Sequence, residues 1–291
     1  MENLLQLLLT TVQIGSVYVL FALGLTIIFG VLKIVNFAHS QFFTLSALLV
    51  AVVIPWLMEE GYSLFNAYLF GLVIGIAGAA MLGVLTYQVG FRWFQRDMVG
   101  SFILSAGLVL LFEGIYLEVF GGAVRSVPPL VEGTISVLGA GLSAQRLLIC
   151  IIAVMLTGGL AWVLAKTRFG NALRAVSIDH EAAMLQGIPY KSIAFHGFIF
   201  ATLIGAIAGA LIAPVSSVSP TFGDSFLVKG FIAVVIGGLG SVPGAIIGSL
   251  LIAAIEAFGG FYFDPSSASL AIFVLVMLML LVRPNGVLGR G

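Results

Sequence analysis

Residues 193–213 read IAFHGFIFATLIGAIAGALIA, a run without a single Asp, Glu, Lys or Arg. A helix of that length rises about 30 Å, the thickness of the hydrocarbon layer of a bilayer. Gly205 and Gly209, four positions apart, leave one strip of that helix without side chains, and such a strip lets a second helix backbone approach closely in lipid. The stretch therefore reads as a membrane span built for tight helix contact.

Working outward, runs of the same kind recur along the chain. They lie at Leu4–Val31, from Asn36-Phe37-Ala38-His39 to Met58, at Phe65–Val89, Val99–Phe120, Arg146–Ala165, Val242–Phe258 and Ala268–Val282. A short, broken run at Phe226–Ile236 is the doubtful one, so eight or nine crossings are expected. Further pairs of small residues, Gly71 with Gly75 and Gly244 with Gly248, predict close packing of these spans. The composition agrees: of 291 residues, 61% are hydrophobic and only 8% charged, too few to coat a water-soluble fold. The fold class is an all-α polytopic integral membrane protein in which some spans are broken or short, expected to form one domain over residues 1–291. Met1-Glu2-Asn3 lacks the basic start of a cleaved signal, so the first run reads as a retained helix. Asn36–Val50 and Gly237–Leu251 each show a polar, broken start before a small-residue helix, a faint internal similarity. The net charge of zero gives no field for nucleic acid. The lone Cys150 lies in an apolar run and reads as filler.

Lys and Arg collect on the cytoplasmic side of a membrane. With the N-terminus outside, Lys33, Arg92, Arg96, Lys166, Arg168, Arg174, Lys191, Arg283 and Arg290 all fall inside, leaving Arg125, Arg146 and Lys229 elsewhere. The reverse orientation strands those nine outside, so an external N-terminus and a cytoplasmic C-terminus are expected.

The longest inside loop, about 166–191, carries the most information. Asp179 is placed to cap a short helix with Glu181 in its first turn, and Gly187 with Pro189 is placed to stop it. A short helix with an alanine face between two spans is either a docking element for a soluble partner or a plain connector.

Ionisable groups at membrane depth cost at least about 2.5–3.5 kcal/mol on insertion scales and so face protein or water. Glu113 and Glu118 lie in the fourth run, Lys229 in the seventh and Glu256 in the eighth. Glu118 is explained by the interface, and Lys229 can snorkel outward. Glu113 and Glu256 either pair within the bundle or line a pathway. Asn36, His39 and Gln41 form a polar entry to the second span, with Asn36 either its cap or part of a cavity wall. Gly237, Gly238 and Gly240 make a turn that either bares backbone to a cavity or packs tightly.

Glu181-Ala182-Ala183 followed by Gly187 resembles the cytoplasmic EAA loop of ATP-binding cassette importer permeases. Asn36-Phe37-Ala38-His39, Arg168-Phe169-Gly170 through Arg174-Ala175, Gly237-Gly238-Leu239-Gly240-Ser241 with Pro243-Gly244, and Arg283-Pro284-Asn285-Gly286-Val287-Leu288-Gly289 together are similar to the LivH-type branched-chain amino acid permease family over nearly the whole chain. One position departs: the family commonly has a Gly-acidic pair after the early histidine, where this chain has Ser40-Gln41, and this bears on which substrate passes. The resemblance implies a permease subunit forming the pathway for leucine, isoleucine, valine or a related small solute such as urea or a short amide. It also implies four kinds of company: a second, LivM-like permease, two ATPase subunits, an external solute-binding protein and the surrounding membrane lipid. Glu181, Ala182, Ala183 and Gly187, with Arg168, Gly170 and Arg174 shaping the loop, are then the coupling residues. Asn36, His39, Gln41, Glu113, Glu256, Gly237, Gly238 and Gly240 are the candidates for the pathway wall.

None of the four lysines follows a glycine, so the chain has no phosphate-binding loop. ATP is expected to be used by partner subunits, and no cofactor or metal by this chain. His39, His180 and His196 match no metal-ligand spacing, and there is no nucleophile elbow, so an intramembrane enzyme has no constellation behind it. A stand-alone channel or secondary transporter remains the other reading, but it leaves the loop helix without a purpose.

Overall fold

The computed structural model describes residues 2–137, 140–283 and 286–288. Its elements are almost all helical: α1 (Glu2–Leu32), α2 (His39–Glu59), α3 (Leu64–Val89), α4 (Met98–Phe120), a hairpin of β1 (Thr134–Val137) and β2 (Ala140–Ser143), α5 (Ala144–Lys166), α6 (Arg168–Ile178), α7 (His180–Leu185), α8 (Tyr190–Ile212), α9 (Phe222–Gly237), α10 (Val242–Tyr262) and α11 (Pro265–Val282). Two single turns of 3₁₀ helix follow α3 and α8. The strands pair antiparallel, with Thr134 opposite Ser143.

Among the described residues eight helices are long and apolar enough to cross a bilayer: α1–α5, α8, α10 and α11. The doubtful run is resolved as α9, 16 residues long and outside that set. Of the tail motif, Pro284, Asn285 and Gly289 lie outside the described residues, as does Arg290 after it.

α1 is the axis of the bundle. Residues 15–28 are all buried, because α5, α8, α9 and α10 pack around it. With lipid on the outside there is no hydrophobic drive between helices, so close backbone approach has to hold them together. The glycines supply it. A Cβ on Gly209 of α8 would lie 2.1 Å from the Phe43 carbonyl oxygen of α2, and one on Gly248 of α10 would lie 2.1 Å from the Ala233 carbonyl oxygen of α9. α4 and α11 sit at the edge. α4 buries only the stripe Ser101, Ser105, Phe112 and Tyr116.

Helix starts follow side-chain chemistry: Ser63, Asp97, Asp179, Ser241 and Asp264 each accept a backbone N–H in the first turn of the helix they precede. At Asp264 the Ser267 hydroxyl and amide, with the Ser266 amide, hold the carboxyl below the usual carboxylate range.

The ends of α1 and α3 and the start of α8 converge at what we call the basic end. There the Arg96 amide donates to the Leu32 carbonyl (3.1 Å), and the Arg96 guanidinium stands over the Tyr190 ring. At the opposite end, Arg125 and Val218 pair backbone to backbone in both directions at 2.9 Å, tying the loop after α4 to the loop after α8. The Tyr68 hydroxyl donates to the Pro128 carbonyl.

Candidate functional site

Two helices begin inside the bundle. After Leu32 the chain turns back as residues 33–38, and α2 starts at His39. A Cβ on Gly24 of α1 would lie 2.5 Å from His39 Nε2, and one on Gly205 of α8 2.8 Å. Gly24 is eight residues before the end of α1, so the His39 ring sits about 12 Å from that end along the helix. The polar entry to the second span therefore lies inside the bundle, against α1 and α8. His39 fills the slot between the two glycines, with the edge of Phe21 5.0 Å away, centroid to centroid, and among the described residues neither ring nitrogen has a hydrogen-bond partner.

Asn36 is not the cap of α2. That place is taken by Ala38, without a side-chain bond. Both polar side-chain atoms of Asn36 are buried and, among the described residues, without a partner.

From the other side, α9 starts against α2. The Gly223 amide donates to Thr44 Oγ1 at 3.0 Å, and a Cβ there would meet Thr44 Oγ1 at 2.4 Å and the Ser40 carbonyl at 2.5 Å. Phe43 stacks on Phe222 at 5.5 Å and lies 4.7 Å from Phe226. An aromatic knot thereby fixes the meeting point of two broken helices. Such interruptions survive in a membrane only where protein or a cavity satisfies the freed backbone.

α9 carries a polar seam along its open flank, where Thr221 and Ser225 are exposed and Asp224 and Lys229 half-buried. On one side of the seam Gln41 Nε2 donates to Glu113 Oε1 (3.2 Å), and the Glu113 carboxyl lies within hydrogen-bonding reach of Asp224. Tyr116 donates its hydroxyl to the Gln41 backbone carbonyl (3.0 Å). On the other side Lys229 Nζ pairs with Glu256 Oε1 at 2.5 Å and donates to the Tyr18 hydroxyl at 3.0 Å. Tyr18 in turn donates to Glu256 Oε2 at 2.6 Å. Lys229 is thus paired inside the bundle, and the snorkelling expectation is replaced. Glu256 has its basic partner; Glu113 has an amide and a second acid instead. Asp224, unremarked in the sequence reading, is the acid that completes this cluster. The signal for it was an acidic residue beside a glycine at the mouth of the short apolar run.

The glycine turn does not join this seam. A Cβ on Gly237 would lie 2.1 Å from the Gly244 carbonyl oxygen, and Val287 and Leu288 donate their amides to the carbonyls of Ile236 and Gly237. Gly238 (φ 107°) and Gly240 (φ 83°) hold left-handed backbone, which favours glycine. Gly237 and Gly238 are buried in that packing and Gly240 is exposed, so the tight packing turn is the account that fits the structure.

The 166–191 loop holds two helices where one was expected. α6 is capped by Thr167, whose hydroxyl accepts the Gly170 amide. A Cβ on Gly170 would strike the Val163 and Leu164 carbonyl oxygens at 2.4 Å, so α6 folds tightly back on the end of α5. Arg174 donates to the Ala165 carbonyl and to Asn171 Oδ1, and Arg168 points to solvent. Asp179 caps α7 through the amides of Glu181 and Ala182, and Gly187 (φ 81°) ends it, both as expected. Ala183 is turned inward (5% exposed), while Glu181 and Ala182 are exposed. The tip shows what the sequence reading missed: Ile178 is 73%, Met184 46% and Leu185 87% exposed, three large apolar side chains turned to solvent.

Among the described residues no group of three His, Cys, Asp or Glu side chains is arranged to hold a metal.

Residues 7–282 match the family model described as the branched-chain amino acid transport system, permease component. The high-affinity branched-chain amino acid transport system permease protein BraD of Pseudomonas aeruginosa is 28% identical over 98% of this chain and 96% of its own. LivH of Escherichia coli, with the same description, is 29% identical over the same shares. The autoinducer 2 import system permease protein LsrC of Escherichia coli is 28% identical over 69% of this chain and 56% of its own. No solved structure matches. A family model spanning nearly the whole chain, on a bundle of eight apolar helices, makes this a multi-pass membrane protein that belongs to the permease components of branched-chain amino acid transport systems.

Proposed function

We propose that this chain forms the translocation pathway of an ATP-binding cassette importer in the inner membrane, carrying leucine, isoleucine, valine or a closely related small solute. It works with a second, LivM-like permease, two ATPase subunits and an external solute-binding protein. ATP is bound and hydrolysed by the partners, and this chain is no enzyme. The basic end faces the cytoplasm, with the N-terminus outside, a reading supported by the distribution of Lys and Arg.

One observation carries this reading beyond family membership: the α6–α7 loop presents Ile178, Met184 and Leu185 to solvent around Glu181. Exposed apolar side chains on a folded, capped loop mark a surface that a partner covers. Ala183 anchors α7 to the chain, and Gly170 and Arg174 brace α6 against α5, so a push on the tip moves a rigid element.

The experiment is a pull-down from the native host in mild detergent, followed by ATP hydrolysis and uptake with a panel of branched-chain amino acids, urea, short amides and autoinducer 2. A second permease and P-loop ATPases should co-purify; recovery of the chain alone would reject the importer. Leu185→Glu should cut ATPase recovery about tenfold or more, the scale of a central interface residue, without lowering the yield of the chain. Glu181→Arg should leave the fold intact and uncouple ATP hydrolysis from uptake. Unchanged recovery and uptake in both variants would remove the loop from the coupling path.

A further inference from the structure

Where α2 and α9 begin against each other, the first three amides of each helix are in use. The amides of His39, Ser40 and Gln41 bond to the carbonyls of Asn36, Phe37 and Ala38, and those of Phe222 and Asp224 bond to Ser219 and Thr221. The Gly223 amide is held by Thr44 Oγ1. A pair of helix starts is often an anion site because its N–H groups are free; here they are not.

What remains is a surplus of acceptors. Gln41 is wholly buried (0% exposed). Its Nε2 is used on Glu113, which places the amide in the acidic cluster, and its Oε1 has no partner. Asp224 Oδ1 is likewise buried without a partner. The Glu113 and Asp224 carboxyls approach within hydrogen-bonding reach, a contact that two ionised carboxylates sustain only with a proton or a cation between them. Lys229, the one base on α9, is taken by Glu256 and Tyr18.

We infer that Glu113, Asp224 and Gln41 form the site that receives the ammonium group of the transported solute, an inference that rests on the importer reading above. An ammonium brings three donors and no acceptor, which complements the two orphaned acceptors, Gln41 Oε1 and Asp224 Oδ1, with the Glu113 carboxyl beside them. Its hydrogen bonds to carboxylates are of the strong, charge-assisted kind. Urea or a short amide brings no charge to balance the two acids. A solute lacking the amino group brings only a further anion.

The test uses the whole complex in proteoliposomes with its binding protein. Asp224→Asn and Glu113→Gln should each lower leucine uptake about tenfold or more while the complex still co-purifies, and Asp224→Glu should recover a large part. In thermal melts of the purified complex, 3-methylbutylamine should stabilise the wild type and not Asp224→Asn, whereas 4-methylpentanoate should stabilise neither. Stabilisation by ammonium chloride at the same concentration, equal to that by the amine, would make this an inorganic cation site and overturn the proposal. Uptake within twofold of wild type in both neutralised variants would overturn it too, and leave the importer reading standing. A wild-type complex that moves no amino acid would instead overturn the importer reading itself.

Discussion

Gly209→Leu is expected to yield no detergent-stable, folded chain. The position has no room: the first added atom would lie 2.1 Å from the Phe43 carbonyl oxygen and 2.9 Å from the Phe43 carbonyl carbon. Both obstacles are backbone, so no side-chain rotation relieves them, and α8 must move away from α2 by more than an ångström. That movement opens the slot between Gly24 and Gly205 that holds His39 and loosens the start of α2 just where α9 packs. Overpacking alone costs about 1–3 kcal/mol; disrupting two buried helix starts as well should take the loss beyond that range. The control is Gly158→Leu in α5, where nothing lies within 4 Å of the added atom. Thermal melts of the two purified variants, read by size-exclusion recovery, decide it. A Gly209→Leu chain that melts with the control would mean that α2 and α8 are not in backbone contact.

The spans were legible because lipid demands an unbroken apolar run, a property one window of sequence contains in full. Leu4–Val31 and Phe65–Val89 were therefore placed almost to the residue against α1 and α3. Depth was not legible. Asn36 and His39 read as a polar entry to the second span, either cap or cavity wall, and only the packing of Gly24 and Gly205 against His39 sets that entry inside the bundle. Gly205 and Gly209 were legible as contact residues but their partners were not, since His39 and Phe43 lie more than 160 residues away along the chain. Lys229 and Glu256 could each be read as costly, and the structure supplies the reason both are tolerated. α6 was missed because a short amphipathic surface helix has neither a long apolar run nor a proline boundary, and its cap, Thr167, follows directly on the end of α5. Ile178, Met184 and Leu185 were passed over because isolated apolar residues in a loop normally turn inward, and here they do not.

Lys229→Met should destabilise the chain by about 3–5 kcal/mol, the cost of stranding one partner of a buried pair. The variant leaves the Glu256 carboxylate with a single donor, Tyr18 Oη at 2.6 Å, at a depth where an uncompensated charge is expensive. Glu256→Gln is expected to be less severe, because the amide oxygen still accepts from Lys229 or Tyr18 while the ammonium loses its counter-charge. The double variant Lys229→Met with Glu256→Met removes both charges together and should regain most of the loss, since replacing a buried ion pair with apolar groups of similar size is often close to neutral. The interaction energy from this double-mutant cycle is the quantity to measure, by thermal or denaturant unfolding of the purified chain in detergent. The side chains of Lys229 and Glu256 are 22% and 29% exposed, and an ordinary solvent-screened pair would give about 0–1 kcal/mol. A value in that lower range would mean that water or headgroups reach the pair, making the seam on α9 a wet surface along its whole length. A coupling of several kcal/mol would mean that α1, α9 and α10 are locked by charge on this side of the seam. The Glu113–Asp224 side would then be the only part of it still open to a solute.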